Sequence, residues 1–151
     1  MPGVWFGTSL ARGVANPIVD EVRRKLGDGL RFVFRNFPLT EMHPHAEHAA
    51  EIAEAAATHN KFWEMHDMLY AHQDALDDRH LAEYAMLLGV PAPEIKHALA
   101  EHAYLDRVRE DFMSGVRSGV NGTPTFFING VRHDGSHDRE SLRAAIVDAV
   151  R

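Results

Sequence analysis

The sequence predicts an α/β domain in which two strands are followed by a long helical block, a hairpin and a closing helix. Three observations support this. Apolar or alternating runs at 4–6 and 30–37 are typical of strands, and apolar residues recur at helical spacing through most of 45–118. The dipeptide Asn129-Gly130 between two short runs is typical of a tight hairpin turn. We therefore expect one mixed sheet with a helical insertion.

The first three elements follow from apolar spacing and from proline and glycine. Residues 4–6 form an apolar run, and we expect a correspondingly short first strand. Asn16-Pro17 is typical of a helix start, and Gly27 is typical of its end. Alternation through 30–37 predicts a second strand with one apolar face, which the following proline stops.

Prolines and glycines also bound the remaining elements. They predict helices at 45–58, 62–70, 78–88, 94–101 and 105–116, strands at 125–128 and 131–133, and a last helix at 139–150. Asn129-Gly130 favours a type I′ turn between the last two strands, because both of its residues tolerate positive φ.

Composition bounds the function. The 151 residues suit one domain over 1–151, and a net charge of -6 excludes nonspecific nucleic-acid binding as a partner class. No apolar run is long enough to span a bilayer, so we expect no membrane insertion. No basic segment precedes an apolar stretch at the start, and we expect a cytoplasmic protein. The absence of cysteine excludes disulfides, zinc–thiolate sites and thiolate nucleophiles.

Four motifs resemble the DsbA-like thiol–disulfide oxidoreductases of the thioredoxin superfamily. They are 30–39 (LRFVFRNFPL), 43–46 (HPHA), 61–67 (KFWEMHD) and 122–130 (GTPTFFING). The resemblance covers about 14–151 and implies a thioredoxin-like fold with a helical insertion at about 43–118, between the second strand and the cis-proline hairpin. It also implies that Pro124 is cis after Thr123 and lies beside the active-site turn.

The active-site turn departs from that family. Counting back from Asn16-Pro17, Ser9 occupies the position of the attacking cysteine and Arg12 that of the resolving cysteine. Dithiol exchange needs one thiolate to attack a disulfide and a second thiol to resolve the mixed disulfide. Neither side chain supplies a thiol, so the redox activity of the family is not expected here.

Three functions stay open. The first is a redox-inactive protein that binds an extended peptide or a small thiol, with the backbone of Thr123 and Pro124 pairing as in strand addition. The second is a glutathione-dependent enzyme resembling the kappa-class transferases and related isomerases, in which Ser9 donates a hydrogen bond to the glutathione sulfur and Arg12 adds positive charge. The third is a truncated or decayed oxidoreductase homologue.

The remaining expectations concern metals, cofactors and assembly. His43, His45 and His48 suggest a metal site by composition, but the motif around Pro44 resembles a helix start, and we expect no metal there. Outside the glutathione alternative we expect no cofactor. A homodimer would cover apolar surface left by a short first strand.

Overall fold

A computed structural model of the chain describes residues 3–8, 21 and 24–149, the first of these ranges by its backbone alone. The strands are β1 (Gly3–Thr8), β2 (Arg31–Asn36), β3 (Thr125–Ile128) and β4 (Val131–Arg132). The helices are α1 (Ala46–Ala57), α2 (Phe62–Ala71), α3 (Asp78–Leu87), α4 (Ala92–Leu99), α5 (Leu105–Arg117) and α6 (Arg139–Ala149). Five helices between β2 and β3 form the predicted insertion.

The sheet has the order β2-β1-β3-β4. β1 runs parallel to β2 and antiparallel to β3, so it is central among the described strands. It spans six residues and pairs with β2 along its whole length. The expected short first strand is therefore wrong, because backbone hydrogen bonds to a neighbouring strand extend a ladder beyond the apolar residues. The argument for a homodimer loses this basis, although the assembly itself stays a prediction.

The hairpin matches its prediction. Asn129 and Gly130 have φ of 50° and 81°, the positive pair that a type I′ turn requires. The amide N–H of His133 then donates to the carbonyl of Phe126 at 2.8 Å. Gly27, predicted to end the first helix, has a φ of 47°; of that helix, residues 21 and 24–26 are described as helical.

The insertion and the sheet have separate cores that meet at β2. Ile52, Met65 and Leu81 are fully buried in the core of the insertion, whereas Phe126 packs with α6 in the core of the sheet. The two regions are joined by aromatic contacts, among them Phe32 with Trp63 at 5.2 Å between ring centroids. Within the described part of the chain, no helix is both long enough and apolar enough to cross a membrane.

Gly115 in α5 packs directly against Phe37, the residue that follows β2, and leaves no room for a larger side chain. A Cβ at this position would lie 2.7 Å from Cδ2 of Phe37, whose buried ring stacks on Phe112 at 4.5 Å. We expect Gly115→Ala to lower the free energy of unfolding by about 1–3 kcal/mol, because overpacking outweighs the gain of about 1 kcal/mol in helix propensity.

Urea denaturation measures this change. Met113→Ala on the exposed side of the same helix is the control, with an expected change within about 0.5 kcal/mol. An unchanged or increased stability of Gly115→Ala would show that the Phe37 ring yields without cost.

Candidate functional site

Three strand ends meet at one edge of the sheet. Thr8, the last residue of β1, pairs with Asn36, the last residue of β2, and Gly7 pairs with Thr125, the first residue of β3. The chain therefore enters β3 where it leaves β1 and β2. In open α/β sheets, ligands bind outside the carboxyl ends of the parallel strands. This edge is the candidate site.

The predicted binding residues Thr123 and Pro124 lie at this edge, and both are half-buried. The peptide bond between them is cis, as the sequence predicts. The hydroxyl of the buried Thr125 donates to the carbonyl of Gly122 at 2.7 Å, which ties the loop to the start of β3. Ser9 and Arg12 lie outside the described residues. Their position relative to Pro124 therefore stays a prediction.

A buried carboxylate fixes the end of β2. Asp111 of α5 is 1% exposed, and its Oδ2 accepts the backbone N–H of Asn36 at 2.9 Å. Its Oδ1 accepts Nη1 of Arg107 at 2.7 Å, and Nη1 of Arg35 lies at 3.4 Å. The strand end at the site is thus bound to a helix of the insertion by charge-assisted hydrogen bonds, which are stronger than neutral ones.

Sequence reasoning missed Asp111. It predicted the second strand from alternation through 30–37 and did not single out the aspartate. The local signals were a polar residue closing an alternating strand and a carboxylate four residues after Arg107, a spacing that brings two side chains together on a helix.

A second carboxylate lies beside the first. Oε1 of Glu54 on α1 accepts Nδ2 of Asn36 at 2.6 Å. Burial raises the pKa of Glu54 above its ordinary value of 4.5; the charge of Asp111 acts in the same direction, and Arg107 and Asn36 oppose it. Asn36 thereby connects two acidic groups of the insertion to the sheet edge.

A small apolar groove with a volume of about 40 Å³ opens next to Asn36. One wall consists of four alanines of α1, whose short side chains leave the space empty. Aromatic and aliphatic side chains form the rest. The lining residues are Phe34, Asn36, Pro38, Ala46, Ala49, Ala50, Ala53, Phe62, His66, Leu69 and Tyr70.

The apolar residues of α2 serve both the groove and the core of the insertion. Met65 and Leu69 are buried in that core, and Leu69 also lines the groove. Phe62 and Tyr70 are half-buried and line the groove. His66 is buried, with its ring edge-on to Phe34 at 4.8 Å.

The fold and the cis peptide at the sheet edge define a thioredoxin-like domain with a helical insertion. A family model described as Thioredoxin matches residues 15–148. The chain therefore belongs to the thioredoxin family.

Solved structures agree on the fold. BdbD from Bacillus subtilis superposes with a TM-score of 0.82 and 17% identity, over 99% of this chain and 87% of that one. Wolbachia pipientis alpha-DsbA1 superposes with a TM-score of 0.79 and 16% identity, over 99% of this chain and 85% of that one. MdbA, a thiol-disulfide oxidoreductase from Corynebacterium diphtheriae, superposes with a TM-score of 0.72 and 14% identity, over 98% of this chain and 82% of that one. At these identities the likeness shows the fold alone.

The curated relatives have a different description. An Na(+)/H(+) antiporter NhaA 3 from Salinispora tropica is 45% identical over 139 residues, which are 91% of this chain and 21% of the antiporter. An NhaA 1 from Mycobacterium sp. (strain KMS) is 41% identical over 136 residues, 89% of this chain and 22% of the antiporter. The chain thus spans about a fifth of the length of these relatives.

A substitution of Asp111 tests whether its hydrogen bonds to Asn36 and Arg107 stabilise the end of β2. We expect Asp111→Ala to destabilise the protein by about 1–3 kcal/mol, because it leaves the buried N–H of Asn36 without its acceptor, whereas the partly exposed Arg107 can be solvated by water. Glu110→Ala is the matched control on the exposed side of α5, with an expected change within about 0.5 kcal/mol. Equal losses of stability in the two variants, measured by urea denaturation, would contradict a stabilising role for the hydrogen bonds of Asp111.

Glu54 predicts a pH dependence. Because its pKa is raised in the folded state, folding binds protons above pH 4.5, and stability contributed by the protonated form is lost as pH rises. Glutamine keeps the acceptor for Asn36 without the charge. We expect the stability of Glu54→Gln relative to wild type to increase from pH 4 to pH 7.

Thermal unfolding across this pH range measures the trend. The facing charges of Arg107 and Asp111 and the nearby Tyr104 are unchanged by the substitution. Glu64→Gln is the opposite control, because a backbone N–H and Lys61 lower the pKa of Glu64. Its stability relative to wild type should decrease as pH rises. A flat or falling trend for Glu54→Gln would contradict the prediction.

Proposed function

We propose that this chain is a redox-inactive, DsbA-like domain that binds an extended peptide segment at the cis-proline edge of its sheet. The observation that carries the proposal is an ordered cis-proline edge in a chain that has no cysteine. Thiol–disulfide exchange needs a thiolate and a resolving thiol. A serine hydroxyl serves neither role at neutral pH, so binding is the function that this edge retains.

The groove beside Asn36 supports a peptide ligand. β2 and β3 are separated by β1, which places the groove and Thr123-Pro124 about two strand spacings apart, roughly 10 Å. Three extended residues span that distance at about 3.3 Å each. The proposed segment pairs its backbone at the cis-proline loop and places one apolar side chain in the groove, the division of affinity and specificity seen in strand addition.

The relatives suggest the source of the segment. Over nine-tenths of its length the chain is similar to about a fifth of sodium/proton antiporters from two genera of bacteria. We propose that the domain works with an antiporter and binds one of its extended loops. A cytoplasmic location is part of this proposal, because cytoplasmic loops of membrane proteins are enriched in Lys and Arg, which suit a domain of net charge -6.

The test uses overlapping ten-residue peptides that cover the Salinispora tropica antiporter, titrated into the protein by calorimetry. We expect one or more basic peptides with an apolar anchor to bind, and Ala50→Leu to weaken that binding at least tenfold by filling the groove. Ala57→Leu is the matched control, because Ala57 lies on the same helix outside the groove. Equal affinities of the two variants would place the peptide elsewhere.

Glutathione separates the alternatives. We expect no thermal shift when glutathione is titrated into wild type or into Ser9→Ala. Saturable stabilisation that weakens in Ser9→Ala would favour the serine-based glutathione enzyme and overturn the proposal. Failure to bind either ligand, together with weakly cooperative unfolding, would indicate a decayed homologue.

The location is tested separately. Cell fractionation should recover the protein from the cytoplasmic side, and its recovery outside the cytoplasm would remove the argument for basic loops while leaving the groove experiment unaffected.

A further inference from the structure

A second cluster of chemically active side chains lies in the insertion, away from the sheet edge. It consists of His48 and Glu51 of α1 and His102, in the turn between α4 and α5. One ligand atom from each of the three residues lies within 4.8 Å of the other two. We propose that this cluster, which we call the His48–Glu51–His102 site, binds a divalent cation of the zinc type.

Glu51 provides the first argument. Its side chain is fully buried, and Oε1 accepts Nδ1–H of His102 at 3.0 Å. The other oxygen, Oε2, is buried and has no hydrogen-bond partner. A buried carboxylate oxygen without a partner is costly, and buried charges in proteins are paired or coordinate metals. A cation at this site would satisfy that oxygen.

His48 provides the second argument. It is three residues before Glu51, so the two side chains lie on neighbouring parts of one helix face. Its Nδ1 donates to Oδ1 of Asp78 at 2.6 Å. An imidazole that gives Nδ1–H to a carboxylate presents Nε2 as the ligand atom, and the carboxylate fixes its tautomer and orientation. Asp78 at the start of α3 is therefore a supporting residue rather than a ligand.

The surrounding charge suits a cation. The negative carboxylates of Glu51, Glu47 and Asp78 lie near His102, and Glu51 also accepts its hydrogen bond. The histidine rings lie close to each other, with centroids 5.3 Å apart. Both rings are at least partly exposed, so an ion can reach them from solvent.

The donor set points to zinc. Two imidazoles and one carboxylate form the three-ligand set of many zinc sites, with water in the fourth position. Ligands about 2.0–2.1 Å from a tetrahedral ion lie about 3.4 Å apart. The ligand atoms now lie within 4.8 Å of one another, so binding an ion requires the exposed ring of His102 to move closer to the buried Glu51 and to His48. The ion would link α1 to the α4–α5 turn, with Asp78 adding α3.

The site differs from the histidine group that the sequence suggests. His43 and His45 lie before α1 and line a separate depression with Gln73 and Asp74. Only His48 of the three belongs to the cluster described here, and its partner His102 is 54 positions further along the chain. Among the described residues, this is the group whose ligand atoms converge.

The test is a Zn²⁺ titration of chelator-treated protein at constant pH, followed by calorimetry and by thermal unfolding. We expect one Zn²⁺ to bind per chain and to raise the melting temperature, because a ligand of the folded state stabilises it. His102→Ala should weaken binding at least tenfold and abolish the thermal shift. His97→Ala is the matched control, an exposed histidine of α4 paired with Glu101, and should bind as wild type does.

Two further measurements separate loss of the ion site from loss of folding and from nonspecific ion binding. His102 is partly exposed, and circular dichroism should show His102→Ala folded; if it is not, His48→Ala takes its place with the same expected loss. Co²⁺ substituted into wild type should give the visible absorption of a tetrahedral site, and the variant should not. Weak multi-site Zn²⁺ binding that is equal in wild type and His102→Ala would overturn the proposal as adventitious binding by surface histidines.

Discussion

The hydrogen bonds of the buried Asp111 are the constraint on which the arrangement of this molecule depends. A carboxylate removed from water is stable only when charged or polar donors surround it, and Asp111 has Arg107, Arg35 and Asn36. Two of these donors come from the end of β2 and one from α5. The insertion is therefore held against the sheet at the edge where the cis-proline loop begins β3, and Asn36, which lines the groove, is fixed by the same carboxylate.

The chain combines a thioredoxin-like fold with a sequence that contains no cysteine. The strand order, the cis peptide bond and the helical block are those expected of a DsbA-like domain. The side chains that would carry electrons are absent from the sequence. Because the backbone and packing of the fold do not require a thiol, the edge keeps its geometry in a chain without cysteine, and the fold alone does not establish the function.

How much the sequence predicts depends on how local the cause is. The hairpin was predictable because Asn129 and Gly130 alone allow its positive φ values, and helix ends were placed within about two residues by prolines and glycines. The length of β1 was not predictable, because the extent of its hydrogen-bonded pairing depends on the partner strand β2. The burial of Asp111 and Glu51 was not predicted, because it depends on residues 75 and 51 positions away. Ser9 and Arg12 remain predictions.

Helix α1 is a shared wall between two sites. Ala46, Ala49, Ala50 and Ala53 line the groove, and at 100° per residue His48 and Glu51 lie on the opposite face. Only one helix diameter, about 10 Å, separates the two faces. Linkage then imposes reciprocity: any factor by which an ion changes the affinity for a peptide equals the factor by which the peptide changes the affinity for the ion. The alanine-rich helix α1 thereby joins the two proposed sites.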